Sequence, residues 1–301
     1  MPPITVTLVG CAALGSSFTS KLASGSVLGK DQDIVIKVFG EPSKKLSGPL
    51  VKGFSVVDSV EDAVEGANFV VAVQGTPELG AEAKTFAALG KALARTHDLV
   101  NNTNVFTVGP NANTMALVLS RSAPDMHSSR FYAVSMGEQM MAASELASAA
   151  KATTADVDRV IIWGGTGAAA FADISHARVK GKWAGSTLKS KTWVEDVASK
   201  VEKVAPTLLK SKADVMADAT ATTLSSFVQG TGASQWLSLG VYSDHGAYGI
   251  ETGIFFSQPT VNSGWAPERV YGIPVTAYSA SMMEKAQDIL LKERDAVKAY
   301  V

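Results

Sequence analysis

A single cysteine, Cys11, occurs among the 301 residues, which excludes an internal disulfide and a cysteine-rich zinc site. Histidine is scarce as well. His97, His127, His176 and His245 are the whole set, and no pair has the short helical spacing that brings two imidazoles to one ion. No metal site is expected. Charged residues make up 18 % and the formal net charge is −1, so neither a basic footprint for nucleic acid nor a cationic face for an anionic membrane is expected. Apolar runs stay well short of the roughly 20 residues a membrane span needs. A strand-like run at residues 4–9 argues against a leader or transit segment, and Ala299-Tyr300-Val301 is no peroxisomal address. The cytosol is the expected compartment.

What is present is a large apolar content, 46 %, enough to bury one large core or two moderate ones. Residues 4–9 and 34–39 are continuous β-branched and apolar runs, the pattern of strands covered on both faces in a parallel sheet. Residues 54–57, 69–73 and 105–108 repeat it. Helical patterns at 16–24, 60–65 and 85–95 alternate with these runs, which predicts a doubly wound sheet. The second half reads differently. Helices are expected at 138–152, 192–203, 213–227 and 281–300. Strands are expected at 160–163, 236–242 and 254–256, with a strand-like stretch at 271–275. The division is placed near residue 150, giving a Rossmann-like half at 1–150 and an α+β half at 151–301.

Gly10-Cys11-Ala12-Ala13-Leu14-Gly15 follows the first strand and opens a helix, the place of a dinucleotide-binding turn. Gly10 and Gly15 stand at its first and third glycines. The second glycine, where backbone approaches a pyrophosphate, is Ala12. The acidic residue expected at the end of the next strand, to hold ribose hydroxyls, is Gly40; Glu41 follows it. Pro42, Gly48, Pro49 and Gly53 then bar a helix from the crossover to the third strand. A turn retained for packing weighs more than a working cofactor site. No bound cofactor is therefore expected, with NAD kept as an alternative.

Several segments in order resemble the cytosolic-type malate dehydrogenases of the lactate/malate dehydrogenase superfamily. Residues 25–32 look like the family's G-x-V-x-G-K-D-Q, Val108–Thr114 like V-G-N-P-A-N-T, and residues 160–167 like V-I-I-W-G-N-H-S. Ser120–Pro124 and Gly240–Gly249 match further framework segments. The resemblance implies an α/β fold: a Rossmann-like doubly wound parallel sheet with a C-terminal α+β domain of the lactate/malate dehydrogenase type.

The same resemblance locates what is missing. Thr166 stands where the catalytic histidine would be, and a hydroxyl does not exchange a proton near neutrality. Glu138 replaces the aspartate that orients that histidine. Met141 replaces the arginine that clamps the substrate carboxylate, and Met136 replaces another basic residue. The mobile loop's P-R-R reads Pro77-Glu78-Leu79. The substrate-facing asparagine is Pro110, with Asn111 one position late. The crossover helix that the family lends to its dimer is missing, which puts the usual dimer in doubt.

His245, beside Asp244, is the best candidate for a replacement base, set against a solvated turn histidine. Cys11 at a helix start is read as packing rather than as a nucleophile. Met136, Met140 and Met141 are read as core or as a plug in the old substrate cavity, with a Met-rich contact surface as the other reading. The expected function is a non-catalytic homologue serving as a structural or interaction subunit with an unidentified protein partner. Two alternatives remain: an active NAD-dependent 2-hydroxy acid dehydrogenase with relocated groups, and a sensor that holds NAD without turnover.

Overall fold

The computed structural model describes residues 2–40, 47–76, 78–96, 103–188, 192–204, 213–232 and 235–301. Chain order begins β1 (Ile4–Val9), α1 (Gly15–Ala23), β2 (Ile34–Phe39), β3 (Val51–Val57), α2 (Val60–Val64), β4 (Phe69–Val73), α3 (Leu79–Arg95) and β5 (Asn104–Val108). It continues α4 (Ala112–Ser122), β6 (Phe131–Val134), α5 (Met136–Ala149), β7 (Val157–Asp158), β8 (Ile161–Gly164) and β9 (Ala170–Asp173). The last part holds β10 (Arg178–Val179), β11 (Lys182–Trp183), α6 (Ala184–Thr187), α7 (Trp193–Val204), α8 (Ala213–Gln229), β12 (Leu237–Tyr242), β13 (Phe255–Asn262), β14 (Pro267–Arg269) and α9 (Ala277–Ala296).

Strands run β3-β2-β1-β4-β5-β6 and are parallel throughout. This is the doubly wound order, with its switch point between β1 and β4. The sheet continues from β6 into β12, β13, β8 and β9, now antiparallel. The central strands earn their places by composition: every residue of β4 and β5 is buried, as the unbroken apolar runs predict. A small antiparallel sheet of β11, β10 and β7 lies apart. The boundary expected near residue 150 falls just after α5.

Several elements differ from the sequence reading, among them β3, α3, α4 and the stretch 271–275. β3 begins at Val51 rather than at residue 54, because Gly53 lies against Val35 and lets the chain pair through a bulge. α3 begins at Leu79, and α4 is a helix that the reading passed over. Ala112 through Leu119 are all buried, so α4 has no polar face to give a helical period. The stretch 271–275 forms no strand. The chain between β2 and β3 leaves residues 41–50 for the crossover; its described part, 47–50, is turn, and Glu41 and Pro42 lie outside the described residues.

Candidate functional site

Four parallel strands end along one edge of the sheet, and the residues that follow them meet there. After β1 comes Gly10, with φ +66°; a Cβ on it would lie 2.8 Å from the Val73 carbonyl oxygen. Only glycine fits so close an approach. Residues 11–14, including Ala12, form a single 3-10 turn before α1 opens at Gly15. Cys11 is buried in the core, which fits packing. After β2 comes Gly40 with φ +99°, a conformation in which an L side chain is strained. The turn that would face a pyrophosphate is thus present, while the acceptor for ribose hydroxyls is absent at Gly40.

After β4 the chain turns at once into α3. Glu82, in the first turn of that helix, reaches back, and its Oε1 accepts hydrogen bonds from the backbone N–H groups of Gly75 (3.0 Å) and Thr76 (2.8 Å). These bonds fold the preceding loop back onto the first turn of α3, whose N-cap residue, Glu78, makes no side-chain cap. Glu78 is exposed, its N–H bonded to Thr76 Oγ1. Pro77 lies outside the described residues. Gln74 is buried, and its Oε1 accepts from Asn111 N–H at 2.8 Å, while its Nε2 has no partner.

The segment after β5 turns on Gly109 and Pro110 into α4. Thr166 is buried, and its Oγ1 accepts from the Ala112 N–H at 3.0 Å. It shares that N–H with the Gly109 carbonyl oxygen, which accepts from it at 3.2 Å. Gly167, next along, donates its N–H to Glu138 Oε1 at 3.2 Å. A Cβ on Gly167 would lie 2.5 Å from the Pro110 carbonyl oxygen, so the hairpin tip between β8 and β9 is pressed onto α4. Separate bonds thus join Glu138 to Gly167, Thr166 to Ala112 and Gln74 to Asn111, on either side of Pro110.

Glu138 sits in the first turn of α5, 3 % exposed. Burial pushes its carboxyl up to about 7, against the opposing pull of backbone N–H groups at Glu138 and Gly167. Its Oε2 has no hydrogen-bond partner. Three residues on, Met141 faces the core formed with Met216 and Leu239, and Met136 packs on the same core from a half-buried position. Glu293, from α9, escaped the sequence reading. Its carboxylate accepts from Asn111 Nδ2 at 3.0 Å and from the Thr114 hydroxyl; burial raises its pKa. Glu293, Glu82 and Gln74 stand in helical or loop contexts where a polar residue carries no signal of burial.

The histidines do not join this cluster. His245 is mostly exposed and lies 3.5 Å from Asp244 Oδ2, and Arg269 holds the other oxygen of that carboxylate at 2.7 Å. It follows Tyr242, whose hydroxyl accepts from Arg121 in the last turn of α4, whereas Thr166 meets the first turn of that helix, about 14 Å away along its axis. His176 contacts the Pro274 carbonyl oxygen, and His127 the Ser129 hydroxyl. His97 lies outside the described residues. Among the described residues no group of metal-ligating side chains converges, and no helix is long and apolar enough to cross a membrane.

Comparison with known proteins agrees with this architecture. The family model for the lactate/malate dehydrogenase alpha/beta C-terminal domain matches residues 139–301. A malate dehydrogenase from Naegleria fowleri superposes with a TM-score of 0.90 at 25 % identity, covering 100 % of this chain and 99 % of that one. A lactate dehydrogenase from Trichomonas vaginalis, solved with NADH and oxamate, gives 0.89 at 20 % identity over 99 % and 98 % of the two chains. A malate dehydrogenase from Plasmodium falciparum gives 0.79 at 13 % over 99 % of each. With a family match over more than half its length, on a sheet of the same order and with the framework segments in place, the chain belongs to the lactate/malate dehydrogenase family.

Proposed function

We propose that this chain is a non-catalytic member of its family, retained in the cytosol as a structural or interaction subunit of a larger assembly. One observation carries the reading: the only polar group at the histidine's position, the Thr166 hydroxyl, is buried and engaged with the Ala112 N–H. It has no proton to exchange near neutrality. Met141 adds no cation to hold a substrate carboxylate. Glu82 ties the backbone of residues 75 and 76, where a closing loop would need freedom. Loss of a positioned acid/base alone costs roughly 10²–10⁴-fold in rate.

The partner is a protein other than the usual dimer mate, since the crossover that would carry the dimer helix spans residues 41–50 only. Crosslinking and mass measurement in native extract test this. Recovery in a hetero-assembly is expected, and a free monomer or a standard homodimer contradicts it. Calorimetric titration with NADH tests the cofactor part. Weak or absent binding is expected; a low-micromolar dissociation constant would favour the sensor reading.

A second reading has one observation behind it. Glu138 holds a buried carboxyl near 7, with a free Oε2, beside the histidine's position. Such a group is tuned for proton transfer at neutral pH. Under that reading the chain is an NAD-dependent dehydrogenase with a relocated acid/base, and Glu138→Gln abolishes its activity.

A further inference from the structure

The β10–β11 hairpin carries an exposed aromatic ring that takes no part in the cleft. Lys180 and Gly181 form its two-residue turn, with φ +51° and +73°, the left-handed pair that matches the twist of two antiparallel strands. Arg178 stands directly opposite Trp183, so the two side chains share one face of the hairpin. Trp183 is 55 % exposed, yet three contacts hold it. Its Nε1 donates to the Ser175 carbonyl oxygen at 2.8 Å. Its ring lies over Gly185, where a Cβ would come within 2.3 Å of it. It also meets the ring of Trp193, the first residue of α7, edge to face at 6.3 Å. Ordering a side chain on binding normally weakens association; here the fold has ordered the indole in advance.

Cations surround this ring. Arg178, Lys180 and Lys182 are exposed and form no salt bridge with a described residue. The acids closest in the fold have other partners. The Asp156 carboxylate accepts from the Thr153 N–H at 3.0 Å and from its hydroxyl at 2.9 Å. Asp158, across from Arg178 on β7, has Arg159 at 4.0 Å. Between residues 174 and 194 the sequence holds no aspartate or glutamate, although the chain as a whole has a net charge of −1. Acids return on both sides of the patch, as Asp156 and Asp158 at β7 and as Glu195 and Asp196 in the first turn of α7.

We propose that this hairpin docks a short acidic segment of a partner protein, with one planar side chain on the Trp183 ring and carboxylates on Arg178, Lys180 and Lys182. The proposal rests on the reading of the chain as an interaction subunit. Tryptophan and arginine are the side chains that most often anchor protein interfaces, and complementary charge speeds and orients the encounter. An ordered indole offers a flat face for a ring to stack on. A long polyanion or a flat anionic membrane fits less well, because either would also meet the acids that flank the patch.

Fluorescence anisotropy of a labelled hexaglutamate peptide interrupted by one tyrosine, titrated with the full chain, tests the proposal. Saturable binding that weakens as salt rises is expected. Trp183→Ala, and Lys180→Glu combined with Lys182→Glu, are each expected to weaken it about ten-fold or more. Lys91→Glu, which reverses an exposed charge on α3, is expected to leave it unchanged. Thermal melting confirms that each variant is folded, and the surface charge reversal reads the site if Trp183→Ala does not fold. No saturation, equal affinity for a peptide with lysine in place of glutamate, or unchanged affinity in the hairpin variants overturns the proposal. So does equal weakening by Lys91→Glu, or tighter binding of oligothymidylate or phosphatidylserine vesicles than of the peptide. A hetero-assembly in native extract without peptide binding overturns the hairpin's role alone. Peptide binding by a chain that turns over substrate supports the hairpin and overturns the non-catalytic reading.

Discussion

Thr166 and Glu138 occupy neighbouring places in one buried cluster and behave in opposite ways. The threonine hydroxyl is satisfied by a helix-start N–H; the glutamate is left with an unbonded oxygen. Thr166→Val removes one of the two acceptors of the Ala112 N–H, the other being the Gly109 carbonyl, and is expected to cost about 0.5–1 kcal/mol, while Thr166→Ser keeps most of it; urea denaturation of the variants measures both. For Glu138 the folded pKa, about 7, stands above the ordinary 4.5. The folded state thus holds the proton more tightly than the unfolded one. That contribution is complete below pH 4.5 and is lost as pH rises through 7. It amounts to something on the order of 3 kcal/mol. Glu138→Gln is expected to flatten this fall in the denaturation midpoint between pH 5 and 8, leaving the part due to Glu293, which is raised in the same direction. A wild-type profile that is level across this range contradicts the assignment.

At the scale of elements, the short passage from β4 to α3 decides what the cleft can do. Its backbone donors at Gly75 and Thr76 are bound to Glu82. Glu82→Ala is expected to cost about 1 kcal/mol, as two partly exposed donors exchange the carboxylate for water, and to speed hydrogen exchange at these two amides; unchanged exchange there would show that the carboxylate does not hold the turn. This element also marks where reading from sequence runs out. β1, β2, β4 and β5 were legible because strands buried on both faces are continuous apolar runs. α4 was not, because a helix buried all round has no amphipathic period. The start of α3 was not, because Glu82 bonds to loop residues six and seven positions earlier, a contact that no local pattern encodes.

Across the whole molecule, the sequence carried the parallel order and the framework segments, and Glu138, Thr166 and Pro110 lie close together where β5, β8 and α5 meet. Glu293 and Gln74 join that cluster from α9 and the end of β4, and only the tertiary fold brings them there. The strand cores are intensely apolar, while Thr166, Met141, Glu78 and Pro110 stand at positions that the resemblance gives to other polar residues. The most direct measurement is the rate of NADH oxidation by the purified chain with oxaloacetate and with pyruvate. No turnover above the protein-free background is expected, nor any in Thr166→His, where an imidazole returns without a clamping cation. Turnover at an ordinary enzyme rate, on the order of 1–10³ s⁻¹, that disappears in Glu138→Gln would contradict the account and establish a relocated acid/base.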